Sequence, residues 1–149
     1  MPPSADATEG EWRWRFFQGD DQASLHAAEH DATDAIASPR FSCIKGKGWI
    51  EVVSEMGDQE REAIAEFIRK NEYPRVHLVP PAEYPSLLAE IFYSEMYGWM
   101  YKFDMRVGTR AFAEFAKTGV FEYRVGSAIM TAELKEGLAN IALFDQACR

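Results

Sequence analysis

Alternating apolar and polar positions mark four strands in the first half of the chain. Residues 12–17, with the sequence WRWRFF, place tryptophan and phenylalanine at every second position and predict a half-buried strand. Residues 41–44 and 49–53 flank a glycine-containing connection, a pattern that predicts a β-hairpin. Residues 75–79 predict a further short strand, which the following prolines end.

Apolar residues spaced three or four positions apart predict two helices among these strands. The first would begin at a cap formed by Asp20 or Asp21 and would end before Pro39. The second would be capped by Asp58 and would end before Pro74. Its core-facing stripe is the clearer of the two and consists of Ala63, Ile64, Phe67 and Ile68.

The predicted element order over residues 12–79 is therefore β-α-β-β-α-β, which is typical of a ferredoxin-like α+β fold with both helices on one face of an antiparallel sheet. The second half of the chain predicts mainly helices, at about residues 85–103, 109–118 and 127–147, packed on that sheet. A short strand is predicted at 121–125. We expect a single domain over 12–149, preceded by a flexible acidic leader at 1–11.

The charge and composition of the chain limit the kinds of partner and the cell compartment that we expect. The chain has 149 residues and a net charge of −8, so nucleic acid and anionic membranes would on average repel it. We therefore expect a protein partner with a basic surface, and neither direct nucleic-acid binding nor membrane binding. No apolar run is long enough to span a membrane, and the start of the sequence lacks a signal core, which predicts a cytoplasmic protein.

Cys43 and Cys148 are the two cysteines of the chain. Their wide spacing and the absence of a CxxC pair favour reduced thiols in a cytoplasm. A disulfide between them stays open as an alternative.

An aromatic segment from Tyr84 to Phe103 is the most informative part of the sequence. If it is helical, Tyr93, Tyr97 and Tyr101 form a stripe beside the core-facing one, and Trp99 lies close by. Such a stripe suits a protein-docking surface, the wall of an aromatic pocket, or a central helix that the protein's own core covers.

Acidic side chains mark a second candidate surface. Asp31 and Asp34 fall on the first predicted helix, and Asp58, Glu62 and Glu66 fall on the second. If both helices cover the same face of the sheet, these carboxylates form an acidic face for a basic partner. A solvated helix surface gives the same pattern.

Residues His26 to His30 match the HxxEH pattern of the inverzincin metalloproteases, in which two histidines one helical turn apart bind a metal. The match covers five residues, and the chain has one other histidine, His77, on a predicted strand. A polar helix face accounts for the pattern better, so His26 and His30 are weak metal candidates, and no cofactor is expected.

The sequence thus predicts a small acidic non-catalytic binding protein, such as an adaptor, inhibitor or immunity-type factor, that acts through its acidic helical face and its aromatic helix. A homodimer is one form that such contacts take. The alternative is a small enzyme or ligand-binding domain whose pocket is lined by the same aromatic residues. In that case the acid or base would be Glu90, Glu95 or Asp104.

Overall fold

A computed structural model describes residues 12–29, 38–81 and 87–149 of the chain. Within these ranges the backbone forms two antiparallel sheets and three helices. The helices are α1 (Asp58–Arg69), α2 (Arg110–Thr118) and α3 (Leu138–Cys148). The strands are β1 (Arg13–Gln18), β2 (Gln22–Ala28), β3 (Arg40–Ile44), β4 (Trp49–Glu55), β5 (Arg75–Val79), β6 (Leu87–Leu88), β7 (Glu90–Ser94), β8 (Gly98–Arg106), β9 (Val120–Val125) and β10 (Ala128–Glu133).

The two sheets divide the chain unevenly. The larger sheet has six strands in the order β1-β2-β3-β4-β8-β7, and each strand is antiparallel to its neighbours. The smaller sheet has four strands in the order β10-β9-β5-β6. β5 follows β4 by way of α1, but it leaves the larger sheet and pairs with β9.

The ferredoxin-like fold predicted for residues 12–79 is therefore wrong. Its fourth strand, at 75–79, belongs to a different sheet from the first three, and β2 lies where the first helix was expected. The mainly helical second half is wrong as well, because residues 87–133 contain five strands and one helix.

β2 forms a strand because its sequence also fits a period of two. Ala23, Leu25 and Ala27 face the core, whereas Ser24 and His26 lie on the opposite side. The seven residues of β2 are too few to separate this alternation from helical spacing.

The expected helix cap at Asp20 and Asp21 is part of the β1–β2 turn. There the Gly19 amide donates a hydrogen bond to the Gln22 carbonyl, at 2.8 Å. Aspartate is favoured both in turns and at helix N-caps, so these residues fit either structure.

The segment predicted as an aromatic helix starts outside the described residues, and its described part, from residue 87 onward, forms β6 and the hairpin of β7 and β8. Trp99, Tyr101 and Phe103 project from one side of β8, and Lys102 projects from the other. Gly98 has a φ of +80°, which glycine adopts without strain and which lets the chain reverse. Aromatic residues also fit strands well, because their large side chains pack on a pleated surface.

The helix predicted over 127–147 divides into β10 and α3. Gly126 and Ser127 form the two-residue connection of the β9–β10 hairpin, a loop length that favours glycine. The helix begins only at Leu138, after Gly137.

Predictions that rested on strong local signals are confirmed. The second predicted helix is present as α1, although its N-cap is Gly57 and Asp58 is its first residue, and β3 and β4 form the predicted hairpin. α2 ends at Thr118, where Gly119 takes a left-handed conformation with a φ of 78°. The strands β1, β5 and β9 also lie where strands were predicted.

Phe41 of β3 lies at the centre of the hydrophobic core. Its ring contacts five aromatic rings from β1, α2, β9 and α3, at centroid distances from 5.1 to 6.4 Å. The partners are Trp14, Phe112, Phe115, Phe121 and Phe144. Both sheets and two of the helices therefore share one core.

Cys43 of β3 and Cys148 of α3 form a disulfide, with their Cα atoms 5.8 Å apart. The expectation of two reduced thiols is wrong, and the alternative that the sequence left open is the one observed. Two backbone hydrogen bonds hold the same end of the chain against the β3–β4 turn. The Gly46 amide donates to the Ala147 carbonyl at 3.1 Å, and the Gly48 amide donates to the Cys148 carbonyl at 2.8 Å.

None of the helices within the described ranges has the length and apolar character needed to cross a membrane.

Candidate functional site

The tip of the β7–β8 hairpin exposes three large side chains. Tyr93, Met96 and Trp99 have exposed fractions of 60%, 79% and 51%. The rings of Tyr93 and Trp99 face each other across the hairpin, with centroids 5.2 Å apart in an edge-to-face arrangement. The Ser94 hydroxyl fixes the turn by accepting hydrogen bonds from the amides of Met96 (3.3 Å) and Tyr97 (3.2 Å). Grouped apolar side chains of this kind are typical of a docking surface.

The four aromatic residues predicted as one surface lie in three different places. Tyr93 and Trp99 form the exposed pair, and Tyr101 is completely buried in the core. Tyr97 lines a groove on the face of the six-stranded sheet that points away from the core, called the outer face below. A strand sends neighbouring side chains to opposite faces, so the expected helical stripe is absent.

β7 is an edge strand, because β8 is the one described strand that pairs with it. Every second residue of such a strand directs its N–H and C=O groups away from the sheet. The other edge, β1, is covered by residues near the C-terminus. The Trp14 amide donates to the Glu136 carbonyl at 2.9 Å, and the Asn140 side chain donates to the Trp14 carbonyl at 2.9 Å. Among the described residues, β7 is thus the more available edge of this sheet.

A groove of about 610 Å³ runs over the outer face. Its size is within the range of small-molecule binding sites. The lining combines aromatic rings, hydroxyls and one arginine, and includes Phe17, Ser24, Arg40, Ser42, Phe92 and Tyr97.

His26 lies beside this groove on β2. Its ring stacks on Phe17, with centroids 4.8 Å apart and an interplanar angle of 17°. The side chain is completely buried, and neither ring nitrogen has a hydrogen-bond partner within the described part of the chain. Burial lowers the pKa of His26 to about 4, and the positive charge of Arg40 acts in the same direction. His26 is therefore neutral at pH 7.

Acid should destabilise the protein through His26. The folded pKa of about 4 lies below the ordinary value of 6.5, so the unfolded chain binds the proton first as the pH falls. Between pH 6.5 and 4 this difference removes about 3 kcal/mol from the free energy of unfolding. Urea denaturation at a series of pH values would measure it.

The test variant for this prediction is His26→Phe. The matched control is His77→Gln, because His77 is exposed on β5. We expect His26→Phe to lose the His26 component of the acid sensitivity and His77→Gln to keep it. Equal acid sensitivity in wild type and His26→Phe would contradict the assignment.

A buried carboxylate joins the two sheets. Glu60, in the first turn of α1, has an exposed fraction of 3%. One carboxylate oxygen accepts a hydrogen bond from the Gly57 amide at 2.8 Å, and the other accepts one from the hydroxyl of Tyr101 on β8. The Tyr101 and Tyr123 hydroxyls lie 2.6 Å apart, which extends the network to β9.

The same network borders a cleft of about 280 Å³, lined in part by Ser54, Glu60 and Tyr123. Burial raises the pKa of Tyr123 to about 12 and raises the pKa of Tyr101 as well, so both hydroxyls stay protonated as donors. Because each oxygen of Glu60 already has a donor, this geometry suits a structural link between the sheets.

The predicted acidic surface is only partly described. Asp58, Glu62 and Glu66 are exposed on α1, but Glu66 forms ion pairs with Arg69 and, at 3.7 Å, with Lys70. Its pKa is lowered, first by the hydrogen bond with Arg69. Asp31 and Asp34 lie outside the described residues. The first predicted helix is replaced by β2 over residues 22–28, so the expected pairing of two acidic helices on one sheet is absent there.

The helical spacing required for a metal at His26 and His30 is also absent. His26 lies on a strand, and His30 lies outside the described residues. His77 belongs to the other sheet. No group of three or more histidine, cysteine, aspartate or glutamate residues in the described ranges is arranged to hold a metal ion.

The carboxylates proposed for acid–base chemistry do not gather around one pocket. Glu90 forms an ion pair with Lys102 at 3.8 Å, while Glu95 and Asp104 are exposed. Asp104 lines a separate groove that also includes Trp49, away from the hairpin turn that carries Glu95.

Sequence reasoning missed the roles of Arg40 and Glu60. Glu60 carried a usable signal, because a glutamate three residues after a helix N-cap is the second half of a capping box. Arg40 carried none, since its place in the groove depends on the pairing of β2, β3 and β4. Comparisons with protein-family models, with curated proteins and with solved structures found no match for this chain.

Proposed function

We propose that the chain is a small acidic non-catalytic binding protein, of the adaptor, inhibitor or immunity-factor type, that receives an extended segment of a protein partner along β7. One observation supports the proposal: an edge strand that no described residue covers on its outer side, and three exposed large side chains, Tyr93, Met96 and Trp99, occur in the same hairpin. A partner strand added to a sheet edge gains backbone hydrogen bonds, and neighbouring side chains supply selectivity.

A basic partner suits the charge of the chain. The net charge is −8, and Glu95 is exposed in the turn between Tyr93 and Trp99. The exposed Asp58 and Glu62 of α1 provide further negative charge for long-range attraction. Complementary charge mainly accelerates association, so we expect binding to weaken as salt is raised.

The proposal is tested by affinity capture from a lysate of the cells in which the protein is native. The wild type and matched variants serve as the immobilised proteins. Trp99→Ala and Tyr93→Ala remove the exposed pair, and Ile129→Ala is the control, because Ile129 is 54% exposed on β10 of the other sheet. A central aromatic contact is worth about 2 kcal/mol or more. We therefore expect the hairpin variants to bind the captured protein at least about tenfold more weakly and the control to bind unchanged.

Two results would count against the proposal. One is a partner that both hairpin variants retain as well as the wild type. The other is the absence of any partner that depends on the hairpin. Sedimentation of the purified chain distinguishes a homodimer, because dimerisation through β7 would then be lost in Trp99→Ala.

The alternative of a small enzyme or ligand-binding domain depends on a different part of the molecule. The four aromatic residues expected to line its pocket lie apart, and only Tyr97 borders the outer groove. The groove itself, with Arg40 in its wall, is the feature that favours a ligand.

The Cys43–Cys148 disulfide bears on the compartment. The sequence favoured the cytoplasm, but stable disulfides form mainly in oxidising compartments. We propose that the chain works where this bond persists. Alkylation of free thiols in intact cells tests this. If both cysteines were fully labelled, the disulfide would be absent in the cell, and that result would favour a cytoplasmic protein.

A further inference from the structure

The register of the six-stranded sheet collects basic side chains in one row of the outer face. Arg15 pairs with His26, and the pairing of Ser24 with Ser42 places His26 next to Arg40. The row continues from Arg40 through Val53 and Lys102 to Glu90. This concentration is local, because the chain as a whole carries a net charge of −8.

Arg40 is the member of this row with unused binding capacity. Arg15 donates to the carbonyls of Ala28 (3.1 Å) and Glu29 (2.9 Å). The Lys102 Nζ atom lies 3.9 Å from a carboxylate oxygen of Glu51 and 3.8 Å from a carboxylate oxygen of Glu90. Arg40 is half-buried in the groove wall, and no carboxylate of the described chain forms an ion pair with it.

Next to Arg40 the groove offers hydroxyl donors, and His26 is buried beside it. Ser24 of β2 and Ser42 of β3 lie opposite each other in the paired strands, and both line the groove. His26 is completely buried behind Phe17, with neither nitrogen bonded to a described residue. A guanidinium with nearby hydroxyls is a typical anion-binding arrangement, because charge-assisted hydrogen bonds are short and strong.

The rest of the lining determines the kind of anion. Phe17, Phe92 and Met100 supply apolar wall, which suits a hydrophobic ligand body. Asp21 and Glu51 also line the groove, and Lys102 offsets part of the charge of Glu51. The remaining negative charge opposes a ligand with two negative charges more strongly than a ligand with one. Arg40, which has no ion-pair partner in the described ranges, therefore favours an anion with a single charge.

We propose that the outer groove binds a small organic monocarboxylate. Its carboxylate is held by the Arg40 guanidinium and the hydroxyls of Ser24 and Ser42, and its apolar body lies against Phe92 and Met100. The site uses none of the exposed hairpin residues on which protein docking is proposed. Carboxylate binding and protein docking can therefore be tested independently.

The test is titration of the full chain with benzoate, phenylacetate and hexanoate, followed by calorimetry and by amide chemical shifts. Benzamide is the neutral counterpart of benzoate, and inorganic phosphate is the anion without an apolar body. The variants are Arg40→Gln, Arg40→Lys and the control Arg124→Gln, an exposed arginine on β9.

We expect at least one carboxylate to bind, with shifts confined to the groove-lining segments, which are the end of β1 and its turn into β2, β2, β3, β4 and the β7–β8 hairpin. Benzamide and Arg40→Gln should each weaken binding about tenfold or more, the effect of losing one charge-assisted hydrogen bond. Arg40→Lys should bind more tightly than Arg40→Gln but more weakly than the wild type. If Arg40→Gln does not fold, the loss of affinity in Arg40→Lys relative to the wild type is the test. Arg124→Gln should bind as the wild type does.

Several outcomes would overturn the proposal. They are equal binding of benzoate and benzamide, unchanged binding by Arg40→Gln, and no binding of any of the three carboxylates at millimolar concentration. Phosphate binding as tight as benzoate binding would assign a general anion site instead and would also reject a carboxylate site with an apolar wall.

Discussion

Reduction of the Cys43–Cys148 disulfide should lower the free energy of unfolding by about 4–5 kcal/mol. The bond joins residues 105 positions apart, so it closes a long loop in the unfolded chain and removes much of that chain's conformational entropy. A typical domain is stable by only about 5–15 kcal/mol, so this one bond is a large part of the total. Urea denaturation with and without reductant would measure the difference.

The double variant Cys43→Ala, Cys148→Ala is the control for this experiment. It should have the stability of the reduced wild type, and reductant should not change it further. The backbone hydrogen bonds from Gly46 and Gly48 hold α3 in place without the disulfide, so we expect a folded but weakened protein. Equal stability of the oxidised and reduced wild type would contradict the prediction.

Replacement of Glu60 by alanine should lower the free energy of unfolding by about 3 kcal/mol. The change removes the carboxylate that accepts from the buried Tyr101 hydroxyl and leaves that hydroxyl with Tyr123 alone, and a buried group that loses its partner costs about 1–3 kcal/mol. The Gly57 amide also loses its acceptor, but Gly57 is exposed, so water can replace that bond at a smaller cost. The replacement also removes a negative charge from the first turn of α1, where the helix dipole favours one. Chemical denaturation of the variant at pH 7 measures the loss.

Glu62→Ala is the matched control, because Glu62 is exposed on the same helix two residues away. A surface change of this kind usually alters stability by less than about 0.5 kcal/mol. Glu60→Gln should fall between the two, since an amide keeps one acceptor oxygen. If Glu60→Ala and Glu62→Ala had the same stability, the network would not link the sheets as described.

Local signals were enough to predict the elements that have unambiguous ends. α1 has an apolar stripe with a helical period and a terminating proline, and α2 has Gly119 at its end. The β3–β4 hairpin has glycines in its turn. In each case the side-chain pattern and the turn chemistry point to the same structure.

The aromatic segment was misread because two periods fit it. Tyr93, Tyr97 and Tyr101 are spaced for a helix, but Trp99, Tyr101, Phe103 and Met105 are spaced for a strand and are the ones that follow the actual structure. The choice between the periods is made by pairing with β4, a segment more than forty residues earlier. Propensity for strands, together with Gly98, was the available signal.

The functional features depend on contacts between distant parts of the chain. The Glu60–Tyr101–Tyr123 network and the disulfide each join separate elements, and the outer groove needs strands from both ends of the larger sheet. No local pattern contains this information. The exposure of Tyr93 and Trp99 likewise follows from their place on an edge hairpin.

The availability of β7 for a partner strand is the central claim, and amide hydrogen exchange tests it most directly. In the free protein we expect β7 to exchange faster than β8, which has a neighbouring strand on each side. With the captured partner bound, exchange in β7 should slow at least about tenfold, because a paired edge must open before it exchanges. Unchanged exchange in β7, with protection appearing in α1 or elsewhere, would contradict docking at this edge.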